Sequence, residues 1–183
     1  KNKVVGMAGI LDSSRFIYFL SQELKVPVKK IKSFVLGGHG DSMVAMLGST
    51  EVDGVKILDL VKDNKIKKNK LDQIVDRTKK GGAEIVKYLE KGSAFYAPAA
   101  SGVEMAECYI KNLKKQLPCA VFLNGEYGVR NIYAGVPVII GSKGVEKIVK
   151  IDLSIEEKKN FEKSIKAVRE LFEAAQNIDP DLK

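Results

Sequence analysis

The sequence predicts one α+β domain covering residues 1–183. Three observations carry that expectation. Long segments place apolar residues at helical spacing, short apolar or alternating segments lie between them, and no linker, repeat or low-complexity tract divides the chain. Hydrophobic residues make up 45% of the sequence, enough to bury a real core.

Residues 4–9 are short and apolar and read as a strand or buried turn. Residues 11–24 read as a helix, with Phe16, Phe19, Leu20 and Leu24 at helical spacing and Asp12-Ser13 as a favourable N-terminal capping pair. Pro27 ends that run. Residues 31–36 read as a strand that leads into Gly37-Gly38-His39-Gly40-Asp41-Ser42. Residues 43–47 and 52–60 read as strands around a turn at Asp53-Gly54. Residues 70–89 are helical, with a kink or close helix contact expected at Gly81-Gly82. Residues 93–113 continue as helix, with Pro98 near the first turn, where proline is tolerated. Residues 118–123 and 132–140 read as strands, and Asn124-Gly125-Glu126-Tyr127-Gly128 supplies the turn. The last helix, residues 154–175, opens with the capping box Ser154-x-x-Glu157 and carries Phe161, Ile165, Val168, Leu171 and Phe172 as one stripe.

A formal net charge of +8 raises the possibility of nucleic-acid binding. The charge is mostly lysine, since only Arg15, Arg77, Arg130 and Arg169 are arginines, and the dense 62–70 cluster has no aromatic residue to stack on bases. A solvated face is the better reading. No apolar run reaches the ~18 residues of a membrane span, and residues 1–6 lack a signal-peptide pattern, so a soluble, cytoplasmic protein without membrane or nucleic-acid partners is expected. Cys108 and Cys119 have no metal-type spacing and read as reduced core residues, and no metal site is expected.

His39 is the single histidine. Between glycines after a strand end its ring can reach a cleft and exchange protons near neutral pH; a surface turn histidine is the alternative. Asp12 and Arg15 are spaced i,i+3, so their side chains share a helix face. A planar arginine fork grips carboxylates in a way lysine cannot copy. An ordinary helix cap with an intrahelical ion pair is the plainer reading of these two. Taken together, a carboxylate on one ring nitrogen of His39, a free second nitrogen and an arginine clamp would suit the oxidation of a 2-hydroxy acid.

Residues 11–16, Leu-Asp-Ser-Ser-Arg-Phe, followed by Gly38-His39-Gly40-Asp41-Ser42, resemble the paired signature of the lactate/malate dehydrogenase family. The similarity extends through residues 80–86, 92–99, 125–128 and 135–138, which look like the malate-specific branch, and so covers nearly the whole chain. The resemblance implies the family's C-terminal domain, with mainly antiparallel strands packed against long helices. It implies His39 as proton acceptor, Asp12 as its partner and Arg15 as the binder of the substrate's 1-carboxylate. It also implies NAD as cofactor, malate and oxaloacetate as substrate and product in the tricarboxylic acid cycle, and a homo-oligomer, dimer or tetramer. Ala94 stands where lactate enzymes usually carry threonine beside the substrate, and a small residue suits the longer diacid. Met7 and Pro98 match positions that line the nicotinamide pocket.

No dinucleotide-binding (Rossmann) fingerprint accompanies these residues. Gly38-x-Gly40 fails as a Gly-x-Gly-x-x-Gly turn because Met43 stands at the third glycine, and Gly141 and Gly144 do no better. The chain is therefore expected to be the catalytic half of a two-domain enzyme, inactive as a dehydrogenase by itself. A lactate or other 2-hydroxy acid dehydrogenase domain is the second reading, and a non-catalytic basic binding or assembly domain is the third.

Overall fold

A computed structural model describes residues 1–182. The first helix, α1 (Ala8–Leu24), starts a turn earlier than its apolar pattern suggests, and ends where Lys25 turns left-handed. Before it, Gly6 forms only an isolated antiparallel bridge with Ala120, so of the strand or buried turn expected over residues 4–9 a single pairing is present. The expected Asp12-Ser13 cap is corrected as well. Met7 occupies the cap position without a side-chain bond, and Asp12 and Ser13 are buried inside the helix. Burial decides this, because Ser13 Oγ accepts a bond from the Val35 N–H at 3.0 Å, and Asp12 has partners described below.

The predicted 31–36 strand divides into β1 (Ile31–Lys32) and β2 (Val35–Gly37), followed by β3 (Met43–Ala45). β4 (Glu51–Val52) and β5 (Val55–Lys56) form a hairpin across the expected Asp53-Gly54 turn, whereas the expected 43–47 strand pairs with β2. The strand expected through residue 60 is overturned, since Ile57–Lys62 is a helix, α2, whose Ile57 and Leu60 face the core at i,i+3. α3 (Lys68–Lys79) and α4 (Gly81–Leu89) are separate helices broken at Lys80, one residue before the Gly81-Gly82 pair where a kink or close helix contact was expected. α5 (Tyr96–Ile110) is shorter than its 93–113 pattern.

β6 (Lys115–Asn124) and β7 (Arg130–Gly141) form a long antiparallel hairpin, and β8 (Gly144–Ile148), which the sequence reading missed, folds back on β7. In β6 the alternate residues Leu117, Cys119, Val121 and Leu123 are buried, the period-two pattern of a strand with one core face. α6 (Ile155–Ile178) opens with the predicted capping box: Ser154 Oγ accepts from Glu157 N–H at 3.2 Å, and the Glu157 carboxylate accepts from Ser154 N–H at 2.9 Å. Its single stripe is corrected, because Phe161 and Ile165 are buried while Leu171 is 73% exposed.

All strand pairings are antiparallel, in two sheets ordered β1-β4-β5 and β3-β2-β7-β6. β2 is the strand that positions the site. Successive side chains point to opposite faces, so Leu36 enters the core made by β6, β7 and α6, and Val35 enters the core made with Phe16 and Leu20 of α1. Held on both faces, the strand ends at Gly37, paired to Met43 and Gly135, and the next turn carries His39. Cys108 and Cys119 are free and fully buried. No described helix is long and apolar enough to cross a membrane, and no described cluster of acidic, histidine or cysteine side chains could hold a metal ion.

Candidate active site

Asp12 lies in the second turn of α1 with no solvent exposure. A carboxylate in that position must be matched by donors, because an uncompensated buried charge costs several kcal/mol. Three donors are present. His39 Nδ1 lies 2.7 Å from Asp12 Oδ2, the Gly40 N–H donates to the same oxygen at 3.3 Å, and Arg15 Nη1 donates to Oδ1 at 3.3 Å. The catalytic pair and the substrate arginine proposed from sequence are thus brought into one bonded group.

The Asp12 contact fixes the imidazole chemically. Because a carboxylate only accepts, Nδ1 carries the proton and Nε2 keeps its lone pair in the neutral ring. The bond to Asp12 raises the His39 pKa above the usual histidine value, against the opposing effects of burial and of Arg15. His39 keeps a side-chain exposure of 55% while its partner is buried, so the ring is anchored through Nδ1 and still reachable from solvent. Next to it is a cavity of about 170 Å³ lined by glycines and alanines together with Leu36, Tyr133 and Val168.

Arg15 is 9% exposed, and its Nε is buried without a hydrogen-bond partner. Burial pulls its guanidinium below the ordinary arginine value, against Asp12, which favours the charge. Gly81 allows the approach of this side chain, since a Cβ there would sit 2.9 Å from Arg15 Cδ. The glycine pair therefore covers the Arg15 side chain at the α3–α4 break. Across that break Arg77 grips Glu84 with two bonds of 2.9 and 2.6 Å.

Met7 caps α1 beside Ala8, which lines the cavity at His39. Ala94 lies in the loop before α5 and Pro98 in that helix's first turn. These three are outside the bonded group. Sequence reasoning did not single out Ser164, whose Oγ accepts the Gly38 N–H at 2.8 Å, or Ser42, whose Oγ donates to the His39 carbonyl at 3.2 Å. The one signal for Ser164 was a small polar residue inside an apolar stripe. The described residues around His39 do not form a dinucleotide phosphate site. The cavity is below the ~300 Å³ of ordinary ligand sites, and Gly38-His39-Gly40 leads into a short 3₁₀ turn instead of a phosphate-binding helix.

The structure thus joins a buried carboxylate, a half-exposed histidine and a buried arginine with one unpartnered nitrogen. Residues 10–178 match the lactate/malate dehydrogenase, alpha/beta C-terminal domain, and the chain belongs to that family. A malate dehydrogenase of Pelagibacter ubique is 68% identical over 181 residues, which are 99% of this chain and 57% of that protein. A Cryptosporidium parvum malate dehydrogenase structure has a TM-score of 0.93 at 43% identity, covering 96% of this chain and 56% of that one. A Cryptosporidium parvum lactate dehydrogenase, solved with lactic acid and nicotinamide adenine dinucleotide, has a TM-score of 0.94 at 43% identity with the same coverage. The chain thus spans little more than half the length of these relatives.

Proposed function

We propose that this chain is the catalytic and substrate-binding half of an NAD-dependent malate dehydrogenase that interconverts (S)-malate and oxaloacetate. The observation that carries the reading is the 2.7 Å contact between Asp12 and His39 with Arg15 on the other carboxylate oxygen. In oxidation, Nε2 of His39 takes the proton of the substrate's 2-hydroxyl as the C–O bond becomes a carbonyl. Bound NAD supplies the acceptor for the hydride that leaves the substrate carbon. Asp12 stabilises the imidazolium that forms, and Arg15 holds the neighbouring carboxylate with its remaining donors. Reduction runs the same proton in reverse.

Ala94 is assigned to the substrate side, and Met7 and Pro98 to the nicotinamide side. The part of the parent protein outside this chain is assigned the nucleotide-binding domain and the rest of the cleft, so the 183-residue chain alone should not produce NADH from malate. Homo-oligomerisation is supported by the apolar outer face of α5, where Tyr96, Val103 and Ile110 are 84%, 66% and 77% exposed. The proposed location is cytoplasmic, where free thiols such as Cys108 and Cys119 persist.

The name of the 68%-identical relative favours malate, whereas the equal structural likeness to a lactate dehydrogenase keeps lactate as the second reading. Steady-state kinetics of the full-length parent separate them. The proposal expects kcat/KM with NAD to be far higher for malate than for lactate; the reverse order would replace it, and turnover unaffected by His39→Gln would remove it.

A further inference from the structure

We propose that Ser164 of α6 is a positioning residue for His39. The inference rests on the assignment of His39 as proton acceptor and adds the group that aims it. Ser164 is 4% exposed, and its Oγ accepts the N–H of Gly38, the residue immediately before His39, at 2.8 Å. The fit around this bond is close. Gly37 takes φ +85°, and a Cβ there would meet Ser164 Oγ at 2.2 Å, so only a glycine lets α6 and the end of β2 approach this far.

The backbone around the histidine is consequently held at three points. Ser164 binds the N–H before it, Ser42 donates to its own carbonyl, and Asp12 accepts the N–H after it at Gly40. Asp12 and Ser42 belong to the site and its turn, but Ser164 is distant in sequence and comes from the last helix. α6 is fixed in turn at its start, where buried Glu157 accepts the Gly48 N–H at 2.8 Å while closing the capping box. Through Ser164, α6 sets the height and tilt of the turn from which the imidazole reaches Asp12. A small misplacement of a proton acceptor costs turnover more than binding, because near-attack geometry matters only in the reacting complex.

The test uses the full-length parent enzyme and the variants Ser164→Ala, Ser164→Cys and His39→Gln, with kcat expressed per folded active site. Ser164→Ala is expected to lower kcat roughly 10- to 100-fold with a much smaller change in malate KM, and to shift the acidic limb of the kcat/KM–pH profile. Ser164→Cys, a weaker acceptor of similar shape, is expected to fall between wild type and alanine, and it carries the test where the alanine variant does not fold. Unchanged kcat and pH limb in a folded Ser164 variant, with His39→Gln inactive, would overturn the positioning role alone. An active His39→Gln enzyme would instead overturn the assignment of the base.

Discussion

Asp12 Oδ2 lies 2.7 Å from His39 Nδ1, and these two side chains are brought together from the second turn of α1 and the turn after β2. The contact joins a fully buried acid to a half-exposed base, so the acid can set the base's tautomer without blocking its second nitrogen. Asp12→Asn should keep the shape of this contact and remove its charge. The expected result in the parent enzyme is a kcat lowered roughly 10²- to 10⁴-fold, by analogy with the asparagine substitution in a serine-protease triad. Stopped-flow and steady-state turnover of the purified variant measure it.

Arg15 can bind a substrate carboxylate only with donors that Asp12 leaves free, and its Nε is buried with no partner. Arg15→Lys keeps the charge and loses the fork. Hydrogen bonds to charged groups contribute about 1.5–3 kcal/mol, so malate KM should rise roughly 10- to 100-fold, with kcat changing less. Gly81→Ala should also raise KM, because its new Cβ meets Arg15 Cδ at 2.9 Å. Initial-rate kinetics over a wide malate range check both, and an unchanged KM in both variants would remove Arg15 from substrate binding.

Burial pushes both thiols up, Cys119 to about 12. The thiolate is the reactive form. The native protein should therefore resist iodoacetamide at neutral pH and take up two labels after denaturation, as mass spectrometry would read.

The sequence was legible where local pattern and tertiary environment agree. The α6 capping box, a strand over residues 118–123 and the Asp53-Gly54 turn all formed as read. Local signals failed where burial outweighed them. Asp12-Ser13 is a favourable cap in isolation, but its side chains are more strongly matched by His39, Arg15 and Val35, and α1 extends past it to Ala8. Residues 57–62 have a period too short to separate strand from helix, and core contacts at Ile57 and Leu60 select the helix. Within the site, spacing alone left Asp12 and Arg15 as an ordinary cap and ion pair and His39 as a turn histidine; the family resemblance grouped the three, and the fold brings their side chains together. Ser164 was not legible, because its role arises only when α6 packs on the end of β2.

Because the His39 pKa is raised on folding, its charged contact contributes stability that is fully present below the unfolded value of about 6.5. That contribution fades as pH rises through the higher folded value. The gap in melting temperature between wild type and His39→Gln should accordingly be wider at about pH 5.5 than at about pH 9. Thermal melts by circular dichroism at the two pH values test the sign.

The hold of Asp12 on His39 is tested most directly by an NMR titration of the imidazole, which is unambiguous because the chain has one histidine. Wild type should titrate above about 6.5, and Asp12→Asn should move the midpoint down toward or below that value. A wild-type midpoint at or below about 6.5, unchanged in Asp12→Asn, would contradict the pairing on which the proposed proton transfer depends.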